Sequence, residues 1–463
     1  MSPSIIVLGA TGDLAGRYLL PALAQIFPAV DGGLHLIGVA QDDIDQGAFR
    51  QQVRDCLDRR EDVAAAEVRE LFASTADYVC GDVTDPATLA RALAAVPAGS
   101  SAQSPVVLYL ALPHVLFRRV VEALGSCELP EGIRIVVEKP FGADLDDARR
   151  LNAALAAVLP EERTFRVDHF LAKQTVLNLL GLRFANRIFE PLWNNTHITG
   201  IDIVFDETVD AQARSSYFDR AGALRDMVQN HLLQLLTYVA MEPPLSMDPV
   251  DLSRRKVDVL RAVRTVDRAD LGAVSVRGRY TAGTVTDSNG TREVRAYVTA
   301  DGVDPDRETE TYAEVTLHID NWRWAGVPFR LRTGKALDAD RREVVVRFAP
   351  VPHEAFRGQR PEVNELRLRL DPDCMSLKVN VNGIGDPFEL ETVELDADLA
   401  VQDPGPYGQL LLAVINGDTR LSAHASEAEE GWRIVAPILE GWATGAVPLL
   451  EYPAGSAGPA DRR

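Results

Sequence analysis

Short apolar runs alternate with amphipathic stretches over the first 170 residues of the chain. In each amphipathic stretch the apolar side chains recur every three or four positions, which is the period of a helix. Strands that are apolar throughout are buried on both faces, and intervening helices cover a parallel sheet. The pattern therefore predicts strands at 4–8, 35–40, 77–80, 106–112, 133–142 and 164–170, with a first helix through residue 27 and further helices at 46–74, 86–95, 114–125 and 144–158.

The pattern changes beyond about residue 175. Apolar and polar residues then alternate in segments that follow one another without intervening helices, which is typical of an antiparallel sheet with one open face. The predicted fold class is an α/β domain followed by an α+β domain with a large, mostly antiparallel sheet. We expect strands at 201–208, 312–319, 329–333, 343–349, 365–371 and 376–382, one strongly apolar helix at 222–241, and two later helices at 406–415 and 422–443.

The composition narrows the class of protein. The chain has 463 residues, of which 46% are apolar and 25% charged, as expected for a globular protein of two domains. Its formal net charge of −20 disfavours nucleic acid and anionic lipid as partners. No apolar run reaches about 18 residues, and the N-terminus lacks the basic start of a secretory signal, so we expect neither a membrane span nor export.

The cysteines do not indicate a metal site. Cys56, Cys80, Cys127 and Cys374 are far apart in the chain and lack metal-ligand spacing. We therefore expect reduced structural thiols in a cytoplasmic protein. An anionic substrate would need a local cluster of basic side chains, because the field of this acidic chain opposes it.

A glycine turn joins the first strand to the first helix. Gly9 and Gly12 form a GxxGxxA pattern where a phosphate would approach the backbone of the helix. The N-terminus of a helix offers unpaired N–H groups and partial positive charge, which suit a pyrophosphate. A plain tight turn is the alternative, but the position in the first strand–helix turn of an alternating domain favours a nucleotide site.

The end of the second strand bears on the choice of nucleotide. An acidic residue there accepts from a free ribose hydroxyl, whereas an arginine pairs with a 2′-phosphate. The segment from Ala40 continues with Gln41, Asp42 and Asp43, and carries no basic residue. The sequence therefore favours NAD over NADP, although the two aspartates are also interpretable as solvated loop charges.

Three segments concentrate ionisable residues, at 137–142, 166–173 and 225–231. The last places His231 on an apolar stripe of the predicted helix, where a histidine is more often part of the core than a catalyst. A buried imidazole beside a carboxylate is also what a general base for an alcohol requires. Asp168 is the candidate carboxylate, provided that the fold brings the two side chains together.

These segments resemble glucose-6-phosphate dehydrogenase over nearly the whole chain. The segment RVDHFLAK and the motif RDxxQNH are highly specific to that family. The matching segments, in order, are GATGDLA at 9–15, EKPFG at 138–142, RVDHFLAK at 166–173, LRFANRIFEPLWN at 182–194, YFDRAGALRDMVQNHLLQ at 217–234, AMEPP at 240–244 and WAGVPFRLRTGKAL at 324–337.

The resemblance implies a function and roles for individual residues. The family oxidises the C1 hydroxyl of β-D-glucose 6-phosphate to the lactone and passes hydride to a nicotinamide. His231 would be the general base and Asp168 its orienting carboxylate. The substrate would be bound by Lys139, His169, Lys173, Glu207, Asp226, Lys335 and Arg341, and the cofactor by Gly9, Thr11, Gly12, Asp13, Leu14, Gln41, Asp42, Pro113, Lys139 and Pro140, with no metal.

The resemblance also implies a domain organisation and an assembly. Residues 1–170 would form a dinucleotide-binding Rossmann domain, and residues 171–452 a β+α domain for substrate binding and oligomerisation. A homodimer or homotetramer is expected. The small, polar segment 453–463 is expected to be a disordered tail.

Several positions depart from the family pattern. Phe170 replaces a tyrosine, so one hydroxyl donor to the substrate phosphate is lost, and Gln174 replaces a glutamate. Asp340 stands where a basic residue is expected, with Arg341 and Arg342 next to it as possible replacements. At the cofactor end, Gln41 replaces an arginine and a lysine-rich helix start is Gly16-Arg17-Tyr18, so we expect preference for NAD, or dual use, with Arg17 recovering part of the affinity for NADP.

Two alternatives to an NAD-preferring enzyme acting on glucose 6-phosphate remain. The phosphate-site departures are compatible with the same chemistry on a related sugar phosphate in a specialised pathway. A catalytically silent regulatory paralogue is a more distant possibility. Retention of His231, Asp168, Lys139, Lys173 and Glu207 favours an enzyme.

Overall fold

A computed structural model describes residues 2–60, 63–97, 104–288, 290–356, 358–386, 388–399 and 402–460. The strands of these residues are, in chain order, β1 (Ser4–Leu8), β2 (His35–Ala40), β3 (Ala76–Cys80), β4 (Val106–Leu110), β5 (Arg134–Glu138), β6 (Thr164–Val167), β7 (Ile198–Asp206), β8 (Ser275–Thr281), β9 (Gly283–Asp287), β10 (Gly290–Val294), β11 (Tyr312–His318), β12 (Pro328–Gly334), β13 (Arg341–Phe348), β14 (Glu365–Leu370), β15 (Asp373–Asn382), β16 (Leu390–Asp398), β17 (Ser422–Ala423) and β18 (Leu449–Pro453).

The helices are of three kinds. The α-helices are α1 (Leu20–Ile26), α2 (Gln46–Asp58), α3 (Ala66–Ser74), α4 (Pro86–Ala94), α5 (Phe117–Leu124), α6 (Leu145–Val158), α7 (Gln174–Phe184), α8 (Ser215–Ala223), α9 (Leu233–Ala240), α10 (Pro249–Ala262), α11 (Leu271–Val274), α12 (Pro406–Asn416) and α13 (Ala425–Ala443). Two segments are π-helical, Ala15–Leu19 and Leu224–Leu232. Short 3₁₀ turns are Phe27–Ala29, His114–Leu116, Glu161–Arg163, His169–Ala172, Glu190–Leu192, Gln212–Arg214, Tyr297–Thr299, Pro305–Arg307 and Thr419–Leu421.

By its internal contacts the chain divides into two compact units. The first unit comprises residues 1–173, 246–253 and 402–429. Its sheet has the order β17-β6-β5-β4-β1-β2-β3, and all neighbours are parallel except β17, which runs antiparallel to β6. Apolar clusters lie on both faces of the sheet, as the continuous apolar strands predicted.

The helix α12 belongs to this first unit, although the sequence placed it in the second domain. Leu410, Leu411 and Val414 are buried in the cluster that also contains residues of β1 and α1. Arg134 at the start of β5 donates to the carbonyl oxygen of Val414 at 2.9 Å. The segment 406–416 therefore packs against the sheet of the first unit through one apolar helix face. No local pattern of residues indicates this packing.

The second unit comprises residues 174–245, 254–401 and 430–463. Its nine-stranded sheet has the order β16-β15-β14-β13-β7-β12-β11-β8-β18. The pairs β7/β12 and β8/β18 are parallel and the other neighbours are antiparallel, which confirms the mostly antiparallel sheet. Strands β9 and β10 form a separate hairpin.

The expected disordered tail is wrong for residues 453–460. Pro453 ends β18, which pairs with β8, and Ala454 is buried. The Gly455 N–H donates to the carbonyl oxygen of Ala336 at 2.8 Å, and Ser456 forms a bridge with Leu337. Backbone pairing with the sheet orders this segment despite its small, polar residues; residues 461–463 lie outside the described part of the chain.

Candidate active site

The glycine turn of the first unit is shaped by a close backbone approach. Gly9 has φ of +86°, and a Cβ atom there would lie 2.4 Å from the carbonyl oxygen of Ala111, which follows β4. Gly12 is exposed and its N–H donates to the Gly9 carbonyl at 3.0 Å. The turn leads into the π-helical segment Ala15–Leu19, and the half-buried Leu14 packs against the core. The turn is thus an open backbone cradle of the kind that accommodates a pyrophosphate.

A carboxylate lies against this turn. Thr11 Oγ1 donates to Asp42 Oδ2 at 2.6 Å, and the Tyr78 hydroxyl donates to the Asp42 carbonyl oxygen at 2.7 Å. Burial, together with the nearby Asp42 and Asp43 charges, raises the pKa of Tyr78 to about 12. The Gln41 side chain bonds to the Asp82 carboxylate. Negative charge therefore dominates the end of β2.

Arg17, the basic residue nearest to this turn in the sequence, is already paired with a carboxylate. Its guanidinium forms an ion pair with Asp13 at 2.6 Å, and both side chains are about two-thirds exposed. The four-residue spacing makes this a local pair on the first turn of the helix. Recovery of affinity for a 2′-phosphate through Arg17 would require the Asp13 pair to open.

The strands β5 and β6 end next to each other, and five of the predicted site residues lie in the segments that follow them. Glu138 pairs with Val167 in the parallel register, so the residues that follow each strand emerge at the same edge of the sheet. The peptide Lys139–Pro140 is cis. The residues following the two strands are Lys139, Pro140, Asp168, His169 and Lys173, and Pro113 follows β4 at the same edge.

Asp168 is almost fully buried and begins a 3₁₀ turn. Its Oδ1 accepts from the Phe170 N–H at 2.9 Å, which is the contact of an N-cap residue. Phe170 is buried, its ring lies edge-on to the His169 ring at 5.0 Å, and the Lys173 ammonium lies 5.2 Å from its centroid. The phenylalanine that replaces the family's tyrosine therefore packs between the two predicted phosphate ligands.

A buried acid precedes Lys139. Glu138 accepts a hydrogen bond of 2.5 Å from the Tyr109 hydroxyl of β4. Burial raises the pKa of Glu138 to about 7, and the nearby Asp168 charge acts in the same direction, while Tyr109 and Lys139 oppose it. The edge of the sheet thus holds two buried carboxyl groups, of which the sequence singled out only Asp168.

The return helix α12 supplies an aromatic side chain to this edge. The rings of Tyr407 and His169 are stacked, with centroids 5.1 Å apart and planes inclined by 13°. Tyr407 also stacks on Tyr18, with ring centroids 5.4 Å apart. Sequence reasoning missed Tyr407 because the signal is spatial: it is the first aromatic residue of a helix from a distant part of the chain.

In the second unit, Glu207 and Lys335 form an ion pair. Glu207 follows β7 and its N–H donates to the Gly334 carbonyl at 2.9 Å, while Lys335 follows the neighbouring parallel strand β12. Both side chains are mostly buried. The two predicted sugar contacts are thus side by side.

Arg341 is engaged by two carboxylates. It donates to Asp206 at 3.1 Å and to Asp338 at 2.9 Å. Asp340 accepts from the Thr208 N–H at 2.8 Å and so fixes the turn after Glu207. The acid at position 340 therefore has a structural partner within the unit, and Arg341 as a phosphate ligand stays a prediction.

Asp226 and His231 lie on the π-helical segment Leu224–Leu232. At its end the Leu233 N–H reaches the Val228 carbonyl, five residues back. In an α-helix residues five apart are rotated by about 140°, whereas hydrogen bonds of the i→i+5 type place them one turn apart. His231 is 1% exposed, and the Tyr217 hydroxyl donates to Asp226 at 3.3 Å. The register brings the predicted base and a predicted sugar contact to one side of the helix.

The described residues offer neither a metal centre nor a membrane-spanning helix. Among them no group of three His, Cys, Asp or Glu side chains is arranged to hold a metal ion. None of the helices in the described ranges has the length and apolar character needed to cross a bilayer.

Two family models match the chain. The model of the glucose-6-phosphate dehydrogenase NAD binding domain matches residues 6–178, and the model of the C-terminal domain matches residues 180–463. The glucose-6-phosphate 1-dehydrogenases of Mycolicibacterium smegmatis and Rhizobium meliloti are each 38% identical, covering 98% of this chain and 94% of theirs.

Solved structures agree over the same span. The glucose-6-phosphate 1-dehydrogenase of Mycobacterium avium is 38% identical with a TM-score of 0.87, covering 99% of this chain and 95% of its own. A glucose-6-phosphate dehydrogenase in complex with glucose 6-phosphate is 30% identical with a TM-score of 0.88, covering 99% and 96%. With both domains matched in sequence and in fold, the chain belongs to the glucose-6-phosphate dehydrogenase family.

Proposed function

We propose that this chain oxidises C1 of glucose 6-phosphate to 6-phosphoglucono-1,5-lactone and reduces NAD(P), with NAD preferred. The observation that carries the proposal is the common edge of β5 and β6. It presents Lys139, Asp168, His169 and Lys173 in the same unit as the glycine turn. One sheet thus carries basic side chains for the substrate dianion, the carboxylate assigned as partner of the proton acceptor, and the backbone turn for the nucleotide.

Proton transfer is assigned to His231. Its imidazole takes the proton of the C1 hydroxyl while the C1 hydride leaves, so the C1–O bond gains double-bond character and the sugar loses two electrons. A bound nicotinamide supplies the hydride acceptor for this reaction. Asp168 is assigned to orient the imidazole and to stabilise it once protonated. Each side chain is almost fully buried within its own unit, which supports these roles because burial restricts the orientation of the side chain.

Recognition of the substrate is assigned to the basic residues and to the Glu207–Lys335 pair. His169 and Lys173 are to hold the phosphate, and Phe170 leaves them without the hydroxyl that a tyrosine would add. Loss of one neutral hydrogen bond costs about 0.5–1.5 kcal/mol. The Asp340 carboxylate accepts from the Thr208 N–H, so this acid has a partner within the unit, and Arg341 is the basic residue assigned to that part of the site.

The preference for NAD rests on the end of β2. Asp42 is fixed against the turn by Thr11, where its carboxylate can accept from a ribose hydroxyl and would repel a 2′-phosphate. The cradle formed around Gly9 fits the pyrophosphate of either nucleotide. Discrimination is therefore assigned to Gln41 and Asp42 rather than to the glycines.

The related-sugar alternative rests on the departures at the phosphate site, Phe170, Gln174 and Asp340. It keeps the reaction and the phosphate but changes the sugar, for example to an amino or deoxy sugar phosphate. A homodimer or homotetramer stays the predicted assembly.

Initial rates at 340 nm test the proposal. Purified protein is assayed with glucose 6-phosphate and either NAD or NADP, with no-sugar controls and with mannose, galactose and glucosamine 6-phosphates in parallel. Reduction that depends on glucose 6-phosphate and favours NAD is the expected result. Reduction with only another hexose phosphate establishes the alternative substrate, and folded protein that reduces neither nucleotide with any sugar contradicts the enzyme.

A further inference from the structure

The helix that carries His231 begins on a buried carboxylate. Glu310 precedes β11 and is only 6% exposed. Its Oε1 accepts from the Leu224 N–H at 3.0 Å, and its own carbonyl oxygen accepts from the Ala223 N–H at 3.1 Å. Two of the N–H groups that a helix leaves unpaired at its start are thus satisfied by one residue.

This contact requires a glycine next to it. Gly222 has φ of +69°, and a Cβ atom there would lie 2.4 Å from Glu310 Oε1. The positive φ interrupts α8 one residue before its end, and the missing side chain leaves the space that the carboxylate occupies. Gly222 and Glu310 therefore determine together where the π-helical segment starts.

The stretch around Glu310 also fixes the second half of the sugar site. Thr309 Oγ1 donates to the Asp219 carbonyl at 2.7 Å, and the Lys335 N–H donates to the Thr311 carbonyl at 2.9 Å. Residues 309–311 are therefore bonded to α8 on one side and to the residue after β12 on the other. Through this stretch the start of the helix has a defined position relative to Lys335.

The start of a helix decides which residues share its faces. The π-helical segment packs against β7, β11 and β12. Its i→i+5 register brings Asp226 and His231 to one side. A shift of the first turn would rotate both side chains relative to Glu207 and Lys335, since the segment is only nine residues long.

We propose that Glu310 is a positioning residue for the reaction, which sets the register of the segment 224–232 and thereby aims His231 and Asp226 at the sugar. The inference rests on the proposed function for the identity of the reaction. It predicts that turnover depends on whether the side-chain oxygen of residue 310 reaches the Leu224 N–H, and that turnover does not depend on the charge of that side chain. Burial raises the pKa of Glu310, so the site already disfavours the ionised form.

Two substitutions separate reach from charge. E310Q keeps an oxygen acceptor at the same distance and loses the charge, whereas E310D keeps the charge and falls short of the Leu224 N–H by about 1.5 Å. Glu343 of the same unit is similarly buried and pairs with Arg367 at 2.7 Å. The variants E343Q and E343D are matched controls for the loss or shortening of a buried carboxylate away from the helix.

The first measurement is steady-state kinetics with C1-deuterated glucose 6-phosphate. For E310D we expect kcat to fall by about tenfold to a hundredfold, as for a displaced catalytic group. We also expect a larger isotope effect on kcat and an unchanged KM for the nucleotide. E310Q is expected to stay within about threefold of the wild type, and the Glu343 variants to show the wild-type isotope effect. An equal fall in kcat in E310Q and E310D would overturn the proposal.

The second measurement does not depend on activity. Hydrogen exchange of peptides covering residues 222–233 is expected to quicken in E310D and to match the wild type in E310Q. Unchanged exchange in folded E310D would overturn the positioning role even if the wild type proved inactive on glucose 6-phosphate. An inactive wild type with quickened exchange in E310D would instead refute only the proposed function.

Discussion

Two helical segments with assigned functions, one in each unit, begin beyond a glycine with positive φ. Gly9 precedes the π-helical segment Ala15–Leu19, and Gly222 precedes the π-helical segment Leu224–Leu232. A Cβ atom at either glycine would lie 2.4 Å from an oxygen atom, the Ala111 carbonyl in the first case and the Glu310 carboxylate in the second. A glycine with positive φ thus precedes both the proposed nucleotide turn and the helix that carries the proposed general base.

The two segments differ in what holds them and in what they expose. The nucleotide turn is formed by backbone atoms, and Gly12 and Asp13 are exposed. The second segment is buried over most of its length and its first turn depends on one side chain. A backbone cradle tolerates changes of the surrounding side chains, whereas a buried helix with a side-chain cap does not. This difference explains how the cofactor end can depart from the family pattern while the RDxxQNH segment retains it.

The largest effect is expected from His231→Asn, which removes the proposed general base from the buried segment. We expect kcat to fall about 10²–10⁴-fold, because a positioned general base contributes that much. Binding of nucleotide, measured by protein fluorescence, should be unchanged. His318→Asn, a half-buried histidine at the end of β11, is the matched control, and equal activity in both variants would contradict the mechanism.

The next largest effect concerns Glu138, the buried acid of the first unit. Its pKa is raised from 4.5 to about 7. Between these two pH values the Glu138 carboxyl group therefore stays protonated in the folded protein, whereas it ionises in the unfolded chain. The contribution of Glu138 to stability is therefore fully present below pH 4.5 and is lost as the pH rises to about 7, by up to about 3 kcal/mol. Glu138→Gln removes this loss and keeps an acceptor for Tyr109.

Thermal unfolding checks this expectation. The midpoint of Glu138→Gln relative to the wild type should rise between pH 5 and pH 8. Glu122→Gln, which removes an exposed carboxylate paired with Arg118, should show no such trend. A constant difference for Glu138→Gln across this range would mean that the acid is ionised in the folded protein.

The third effect concerns the nucleotide turn. Gln41→Arg combined with Asp42→Ser should move the ratio of kcat/KM for NADP and NAD by about ten- to a hundredfold toward NADP, since a charge-assisted hydrogen bond is worth about 1.5–3 kcal/mol. Turnover with NAD should persist, because the glycine cradle is unaltered. Asp43→Ser tests whether any loop carboxylate would act as Asp42 does, and an equal shift in that variant would contradict the assignment.

The strands of the first unit could be predicted because each apolar run is bounded by local signals. Glycine or proline follows several of these runs, and β5 ends at Glu138, just before Lys139 and Pro140. The motif positions of the candidate site could likewise be located from the sequence, because their residues are contiguous. The predicted strand at 133–142 extends four residues beyond β5, because the prediction continued through Lys139 and Pro140 although the proline was available as a signal to end it.

The arrangement of the site could not be predicted where it depends on distant residues. Glu310 lies 86 residues from the Leu224 N–H that it accepts from, and no pattern around 224–232 distinguishes an i→i+5 register from an ordinary helix. The order of residues 453–460 depends on pairing with β8 and on contacts around Ala336. In each case the deciding partner is brought close only by the finished sheet.

The smallest effect concerns Tyr407, because in the first unit a side chain as well as backbone supports the proposed site. Its ring is stacked on His169 at 5.1 Å, and such contacts are worth about 0.5–1.5 kcal/mol. Tyr407→Leu should therefore raise the KM for glucose 6-phosphate, and the inhibition constant for inorganic phosphate, by about threefold to tenfold, with kcat and the KM for NAD little changed. Tyr407→Phe keeps the ring and should match the wild type. Equal effects in the two variants would assign the role to the hydroxyl, and a parallel rise in the KM for NAD would place Tyr407 with the nucleotide turn instead of with the phosphate ligand.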